Sequence, residues 1–282
     1  MQAQRMTLRE GKMTLHADPP HRILEFLASA GVETLLGEEP VNRLAPPAKE
    51  PAAGAVPVIH QPESEARVSP AAAPAAPDDA AMTARQLAAS APDLDTLRGL
   101  LDTFDGCALK SMATRLVFAD GNPEGRVMII GEAPGRDEDE VGRPFVGRAG
   151  QLLDKMLSAI GLDRTQVYIA NIVPWRPPGN RTPTPQEIAI CLPFIQRQIE
   201  LAAPDVLITM GAPATQNLLG QREGILRLRG RWFDYHTGGH DRPLRTIPSL
   251  ATLHPAYLLR QPAQKALAWR DLRALKARLE QD

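Results

Sequence analysis

The sequence lacks the features of a disulfide-stapled or membrane-spanning protein. Only two of its 282 residues are cysteines, which is too few for a disulfide framework, and no secretory signal precedes them. No apolar run approaches the roughly 18 residues that a membrane span requires. We therefore expect a cytoplasmic protein with no membrane partner. The net charge of −1 permits a polyanionic partner but does not by itself indicate one.

Bulky apolar residues are scarce over residues 41–82, where alanine and proline dominate. Such a composition buries too little apolar surface to offset the entropy of ordering, and its prolines favour extended structure. We expect 41–82 to be a disordered linker between an N-terminal helical segment at 1–40 and a single domain at 83–282. Within the N-terminal segment, an apolar helical pattern is broken by Gly31. This segment either docks on the domain, which we favour, or binds another molecule.

Residues 83–282 alternate between helix-like and strand-like patterns. An amphipathic pattern at 83–104, with Asp93 or Asp95 as its helix cap, comes first. Short apolar runs then predict strands at 115–118, 127–130, 166–171, 205–210 and 246–250. The first of these strands is followed by a predicted turn at 119–123. Helical patterns separate most of these runs, and successive β-α units predict a parallel sheet. The expected fold is α/β, a three-layer αβα sandwich around a central, mostly parallel sheet of four or five strands.

Glycine is concentrated in one connection between these elements. Residues 131–150 contain five glycines between a buried strand and a helical pattern. Loops of this length are usually functional or disordered, and ligands of open α/β sheets bind beyond the carboxyl ends of the strands. A stiff, proline-rich segment at 171–185 follows the next strand, and His254 follows the last. Three strand-end loops are therefore expected at one edge of the sheet, where they can hold side chains in place.

Three arginines alternate with other residues near the C-terminus. Arg227, Arg229 and Arg231 are spaced by two, which on a strand would place three guanidinium groups on one face. Two interpretations remain open for this pattern. One is a phosphate-binding surface, and the other is an edge strand that charge protects against aggregation.

The loop motifs, taken together, resemble those of family-four uracil-DNA glycosylases. They are Gly-Glu-Ala-Pro-Gly at 131–135, Gly-Arg-Pro-Phe-Val-Gly-Arg-Ala-Gly at 142–150, Asn-Ile-Val with Arg-Pro-Pro and Asn-Arg at 171–181, and His-Pro-Ala-Tyr-Leu-Leu-Arg at 254–260. Their order and spacing match over about residues 104–279. The resemblance implies a DNA repair enzyme that flips uracil out of DNA and hydrolyses its N-glycosidic bond. Its products would be an abasic site and free uracil.

The resemblance also implies how the base is bound. Phe145 would stack on the flipped uracil, and the Asn171 amide would hydrogen-bond its pairing edge, which rejects cytosine. His254 would donate to uracil O2, where negative charge develops as the base departs. Backbone amides of the first loop, freed for close approach by Gly131 and Gly135, would meet O2 or a phosphate. The substrate-binding residues expected in this loop are Gly131, Ala133, Pro134 and Gly135.

The nucleophilic water has no obvious holder in this sequence. Better-known uracil glycosylases have an aspartate where this chain has Ala133, so another carboxylate must take its place. The resemblance favours Glu138, with Glu132 and Asp137 as the other carboxylates in reach. The residues expected to contact DNA lie at the strand ends and are Arg181, Tyr257, Leu258, Leu259 and Arg260. One or both of the two leucines would be wedged into the base stack.

One departure from the family concerns its iron-sulfur cluster. Family-four members typically hold a [4Fe-4S] cluster on four cysteines, and the matching positions here are Phe104, Cys107, Trp175 and Cys191. Two thiolates are too few for a cluster that needs about four. We therefore expect no cofactor and no metal, with both aromatic side chains packed near the two cysteines.

Other functions fit parts of the pattern. The same fold could excise another deaminated base such as hypoxanthine or xanthine, or it could bind or covalently trap uracil-containing DNA without turnover. Trapping relatives carry a basic loop with its own histidine after the proline-rich segment, and this chain has none there. A nucleotide-binding turn is disfavoured because neither Gly-x-Gly-x-x-Gly nor Gly-Lys-Ser/Thr occurs. We expect a monomer, since the pocket must remain open to a bulky duplex.

Overall fold

A computed structural model describes residues 77–238 and 244–281. The predicted N-terminal segment and most of the predicted linker lie outside these ranges. A helix over Pro77–Ser90 begins inside the linker range. Its alanines at every fourth position, Ala80, Ala84 and Ala88, are buried in the core. Alanine is the strongest helix former, and its small side chain here provides the packing face that composition alone did not suggest.

Among the described residues, six strands form the central sheet, namely β1 Asp120–Gly121, β2 Val127–Gly131, β3 Val167–Asn171, β4 Val206–Met210, β5 Trp232–Thr237 and β6 Arg245–Thr252. Their spatial order is β1-β3-β2-β4-β6-β5. The neighbours β3-β2, β2-β4 and β4-β6 are parallel, whereas the edge strands β1 and β5 pair antiparallel. The mostly parallel α/β sheet is thus confirmed, with two antiparallel edge strands that raise the strand number above the predicted four or five.

Helices cover both faces of the sheet. They span Pro77–Ser90, Leu94–Thr103, Leu109–Met112, Arg136–Val141, Arg148–Ser158, Pro185–Ala202, Ala212–Leu219, Ile225–Leu228, Pro255–Arg260 and Lys265–Leu279, with 3-10 turns at Pro178–Asn180 and Pro262–Gln264. Successive residues of a strand point to opposite faces, so Met128 and Ile130 join one buried cluster while Val127 and Ile129 join the other. The predicted cap is confirmed at Asp93, which accepts from the Thr96 N–H at 2.7 Å.

Two strand predictions are wrong. Residues 115–118 are irregular, and the Val117 N–H in this segment donates to the Pro174 carbonyl at 2.9 Å. The short strand β1 lies instead within the predicted turn. The arginine-rich stretch forms a helical turn before β5 begins at Trp232, so its arginines do not share a face. Arg229 pairs with buried Asp271, and Arg231 pairs with Glu223 at 2.8 Å.

Within the described ranges, no helix combines the length and apolar character needed to cross a membrane.

Candidate active site

The loops after the parallel strands enclose a cavity of about 550 Å³. The three predicted loops contribute Glu132 after β2, Asn171 at the end of β3 and His254 after β6. A fourth loop, after β4, adds Gly211, whose φ of +92° suits a residue without a side chain. This fourth loop was not predicted to contribute to the site, although the strand β4 was predicted and ends at the same edge of the sheet.

Asn171 is a polar side chain at the floor of this cavity. Only 5% of it is exposed, and its Oδ1 has no hydrogen-bond partner among the described residues. A Cβ at Gly131 would lie 2.4 Å from this oxygen and 2.7 Å from the Phe145 ring. The glycine therefore allows the amide and the ring to approach each other. An unsatisfied buried acceptor costs about 1 to 3 kcal/mol, which a ligand N–H can recover.

Phe145 forms one wall of the cavity in a strained backbone conformation. Its φ is +54°, which for a non-glycine residue costs about 1 to 3 kcal/mol. A Cβ at Gly150 would lie 1.6 Å from the Phe145 carbonyl oxygen, so this third residue of the helix Arg148–Ser158 must be glycine. The Phe145 ring stacks on His254 with 5.4 Å between centroids and 29° between planes.

Arg164 holds this backbone in place from the other side of the loop. Its guanidinium donates to the Phe145 carbonyl and to the Pro144 carbonyl at 3.3 Å. It also pairs with Asp120 and Asp154, each at 2.6 Å. The sequence carried no signal for this role because Arg164 lies 19 residues from the carbonyl that it supports.

His254 combines a structural and a chemical role. It precedes the helix Pro255–Arg260, and its Nδ1 accepts from the Ala256 N–H at 3.1 Å. Burial, assisted by the charge of Arg260, lowers the pKa of His254 to about 4. At neutral pH the ring is therefore uncharged, and because Nδ1 is an acceptor, the single proton is on Nε2. The cavity thus has a neutral N–H donor.

The predicted carboxylates divide into three situations. Glu138 lines the cavity, and its two oxygens accept from the Gly135 N–H at 3.1 Å and the Gly147 N–H at 2.9 Å. Glu132 also lines the cavity; burial raises its pKa, and a hydrogen bond with Thr182 partly opposes the shift. Asp137 is exposed and is not among the cavity-lining residues. The structure therefore brings Glu132 and Glu138 to the cavity.

Glu138 also corrects the prediction of a continuous loop over 131–150. Residues Arg136–Val141 form a short helix, and Glu138 in its first turn caps the start by accepting from the Gly135 N–H. The same carboxylate reaches the first residue before the next helix, Gly147. The sequence contained a signal for this helix, because three acidic residues in a first turn suit a helix N-terminus.

Three of the five predicted DNA-contact residues lie at the mouth of the cavity. Arg181, Tyr257 and Arg260 line it, although Arg181 is engaged with both oxygens of Glu187 at 2.8 and 2.6 Å. Leu258 is only 1% exposed and belongs to the core, so it is not available as a wedge in this structure. Leu259 is partly exposed and remains a prediction.

Comparison with known proteins places this site in a family. Residues 118–273 match the Uracil DNA glycosylase superfamily. The chain belongs to this superfamily. It is 45% identical over 155 residues to a type-4 uracil-DNA glycosylase of Thermotoga maritima, covering 55% of this chain and 77% of the relative. It is 40% identical over 184 residues to the type-4 enzyme of Pyrobaculum aerophilum, covering 64% and 91%. A type-5 uracil-DNA glycosylase of Thermus thermophilus is 32% identical over 115 residues, covering 35% and 52%.

The four positions that were predicted to correspond to iron-sulfur ligands form part of one hydrophobic core. Phe104, Cys107, Trp175 and Cys191 are all buried there. The two sulfur atoms lie 3.9 Å apart, and the Phe104 ring packs against Phe194 with centroids at 5.2 Å. Two sulfurs among aromatic rings do not fit a cubane that needs about four thiolates. In the described part of the chain, no group of three or more His, Cys, Asp or Glu side chains is placed to hold a metal.

Substitution of Arg164 tests the support of Phe145. In Arg164→Lys the amine can still pair with a carboxylate, but it cannot reproduce the fork that also reaches the two carbonyls. We expect uracil excision to slow about 10- to 100-fold, because small misplacements in an active site have effects of this size, while the melting temperature changes little. Single-turnover rates and thermal melting measure the two effects. Arg143→Lys is the control, since Arg143 pairs with the same Asp120 at 3.8 Å; equal rates in both variants would contradict the assignment.

The lowered pKa of His254 predicts a pH dependence of stability. The folded value is about 4 and the ordinary value 6.5, so between them the unfolded chain binds a proton that the folded chain does not. The free energy of unfolding should therefore be unaffected above pH 6.5 and fall by up to about 3 kcal/mol as the pH drops towards the folded pKa. Urea unfolding of the wild type and of His254→Asn measures the contribution of His254, because all other groups titrate in both proteins and cancel in the difference. Identical pH profiles would refute the buried neutral imidazole.

Proposed function

We propose that this protein removes uracil from DNA by hydrolysing the N-glycosidic bond, which leaves an abasic site and releases free uracil. The observation that carries this proposal is the buried Asn171 amide, whose Oδ1 lacks a partner, in a cavity that also holds Phe145 and the His254 donor. Membership of the superfamily and the similarity to type-4 uracil-DNA glycosylases support the same activity.

The amide explains recognition of the base. Uracil has an N–H donor at N3 and an acceptor at O4, so Asn171 Oδ1 accepts from N3 while its Nδ2 donates to O4. Cytosine presents the opposite pattern at these two positions. A site that pairs with a specific donor and acceptor rejects analogues strongly, because a mismatch leaves its buried polar groups unpaired. Phe145 supplies a flat surface for the base, which must leave the DNA stack at a cost of a few kcal/mol.

The histidine explains stabilisation of the leaving group. When the bond between C1′ and N1 breaks, its electron pair moves to the base, and negative charge develops on uracil O2. The N–H at Nε2 of His254 donates to this oxygen. An uncharged donor that is already oriented by its Nδ1 bond needs no rearrangement during the reaction, which is why such groups are effective.

A carboxylate of the first loop orients the water that attacks C1′. The two amide bonds of Glu138 fix its position and still leave lone pairs that can accept from water. The negative charge also stabilises the cationic sugar that forms as the base departs. Glu132 is the other candidate, since its raised pKa suits a group that takes a proton from water. Glu132→Gln and Glu138→Gln distinguish them: the water-holding residue is the one whose substitution slows hydrolysis most without reducing DNA binding.

The activity itself is tested with oligonucleotides that carry uracil, hypoxanthine, xanthine or a normal base in single and double strands. Alkali then cleaves any abasic site. Cleavage with uracil alone supports the proposal. Cleavage with hypoxanthine or xanthine but not uracil would indicate another deaminated base, and a stable complex without cleavage would indicate a binder or trap. We expect the active species to be a monomer with an open cavity.

We further propose that the protein functions without an iron-sulfur cluster. Phe104 and Trp175 fill the positions of two ligands with apolar volume, so the core there is stabilised by packing. Protein purified without oxygen should contain no stoichiometric iron and no broad absorbance near about 400 nm, yet excise uracil. The double variant Phe104→Cys/Trp175→Cys, reconstituted with iron and sulfide, is the matched control with four thiols. Stoichiometric iron in the wild type would contradict the proposal.

A further inference from the structure

The buried position of Leu258 raises the question of which side chain fills the space that a flipped base leaves in a duplex. Enzymes that extrude a base commonly insert an apolar side chain between base steps. Among the described residues, seven large apolar side chains are well exposed. One of them, Leu226, is 57% exposed and lies next to the base cavity. The inference below rests on the proposed function.

Leu226 and the base cavity are joined by shared residues. Gly224, Ile225, Leu226, Arg227 and Tyr257 line a shallow groove, and both Ile225 and Tyr257 also line the base cavity. Leu226 therefore follows directly on a residue of the cavity wall. The other exposed apolar side chains line neither the cavity nor this groove.

The turn that carries Leu226 is firmly anchored. Leu228, at the end of the helical turn, is fully buried. The next residue, Arg229, pairs with buried Asp271, and Asp271 also accepts from Thr252 Oγ1 at 2.7 Å. Thr252 ends β6, the strand that leads to His254. One rigid support thus holds both the leaving-group donor and the exposed leucine, as precise insertion requires.

Charge on the turn matches a DNA backbone. Arg227 follows Leu226, is exposed, and pairs with no carboxylate of the described residues. An apolar side chain beside an unpaired guanidinium suits a site where bases and phosphates alternate. We propose that Leu226 enters the duplex at the position vacated by uracil and that Arg227 binds a neighbouring phosphate.

This assignment predicts a difference between DNA forms. Single-stranded DNA has no opposing stack to fill, so Leu226→Ala should slow excision from duplex DNA about tenfold or more and leave excision from single strands within about twofold of wild type. Leu226→Met should restore the duplex rate, because methionine keeps an apolar side chain of similar volume. Arg227→Gln should reduce the slope of log binding constant against log salt by about 0.9.

Three variants act as controls. Met112→Ala removes a side chain that is 61% exposed away from the cavity and should change neither rate. Leu259→Ala tests the partly exposed neighbour of the motif leucine. Leu258→Ala removes core packing, so it should lower stability and both rates together.

The outcomes separate the two proposals. If the wild type excises uracil from neither DNA form, the proposed function fails and this inference with it. If the wild type is active but Leu226→Ala lowers both rates equally or neither, the wedge assignment alone is overturned. A duplex-specific loss in Leu259→Ala or Leu258→Ala, without one in Leu226→Ala, would overturn it in favour of the motif leucines.

Discussion

Replacing His254 by alanine should lower the rate of uracil excision about 10²- to 10³-fold, as loss of one oriented donor to a developing negative charge usually does. The half-buried ring stays neutral at the pH of the reaction, because desolvation and the charge of Arg260 lower its pKa to about 4. Its proton is directed to Nε2 by the bond that Nδ1 accepts from the Ala256 N–H. Affinity for uracil-containing DNA should change little, since the charge on O2 forms only as the bond breaks.

His254 also caps a helix and stacks on Phe145, and a second substitution separates these roles from the chemistry. Asparagine is a good N-cap residue but does not place an N–H where Nε2 was. His254→Asn should therefore recover much of the melting temperature and little of the rate. His236→Ala is the matched histidine control, as His236 lies exposed on β5. Single-turnover excision and fluorescence anisotropy give rate and affinity. A wild-type rate in both His254 variants would remove the assignment.

The Asn171→Leu substitution should lower uracil excision at least about 100-fold while the protein remains as stable as the wild type or becomes more stable. Leucine has nearly the same shape as asparagine but neither accepts from N3 nor donates to O4. It also removes a buried oxygen that has no hydrogen-bond partner within residues 77–238 and 244–281, and replacing such a group by an apolar one can be neutral or stabilising. Opposite changes in activity and stability are expected where a polar group is kept for a ligand.

A second amide at the cavity rim provides the control for Asn171. Asn180 lines the same cavity but is exposed, and its Oδ1 already accepts from Arg176 at 2.7 Å. Asn180→Gly should change excision by less than about threefold, in keeping with surface substitutions, because glycine also accepts the φ of +56° at this position. Excision assays on uracil and cytosine substrates, with melting curves for each variant, make the comparison. A large loss of stability in Asn171→Leu would show that the amide has a structural partner and would contradict its role in base recognition.

The positions of the strands and loops that frame the site could be predicted from the sequence. The buried strands β2, β3 and β4 are short apolar runs bounded by turn residues. Such runs can be recognised from neighbouring residues, because the apolar pattern does not depend on tertiary contacts. Parallel strands in one sheet end at one edge, so the loops carrying Glu132, Asn171 and His254 could be expected to meet. The family motifs then suggested their roles. These conclusions needed only neighbouring residues and the rule that parallel strands share a direction.

The contacts that support those residues could not be predicted, because they join residues far apart in the chain. Arg164 donates to the Phe145 carbonyl, and Arg229 pairs with Asp271, which lies 42 residues away in the chain. Neither partner can be predicted from the residues that are neighbours in sequence. The same holds for exposure: Leu258 and Leu226 are equally apolar in the sequence, yet packing buries the first and leaves the second in solvent. A side chain's environment depends on which distant elements pack on it, and that information arises only when the chain has folded.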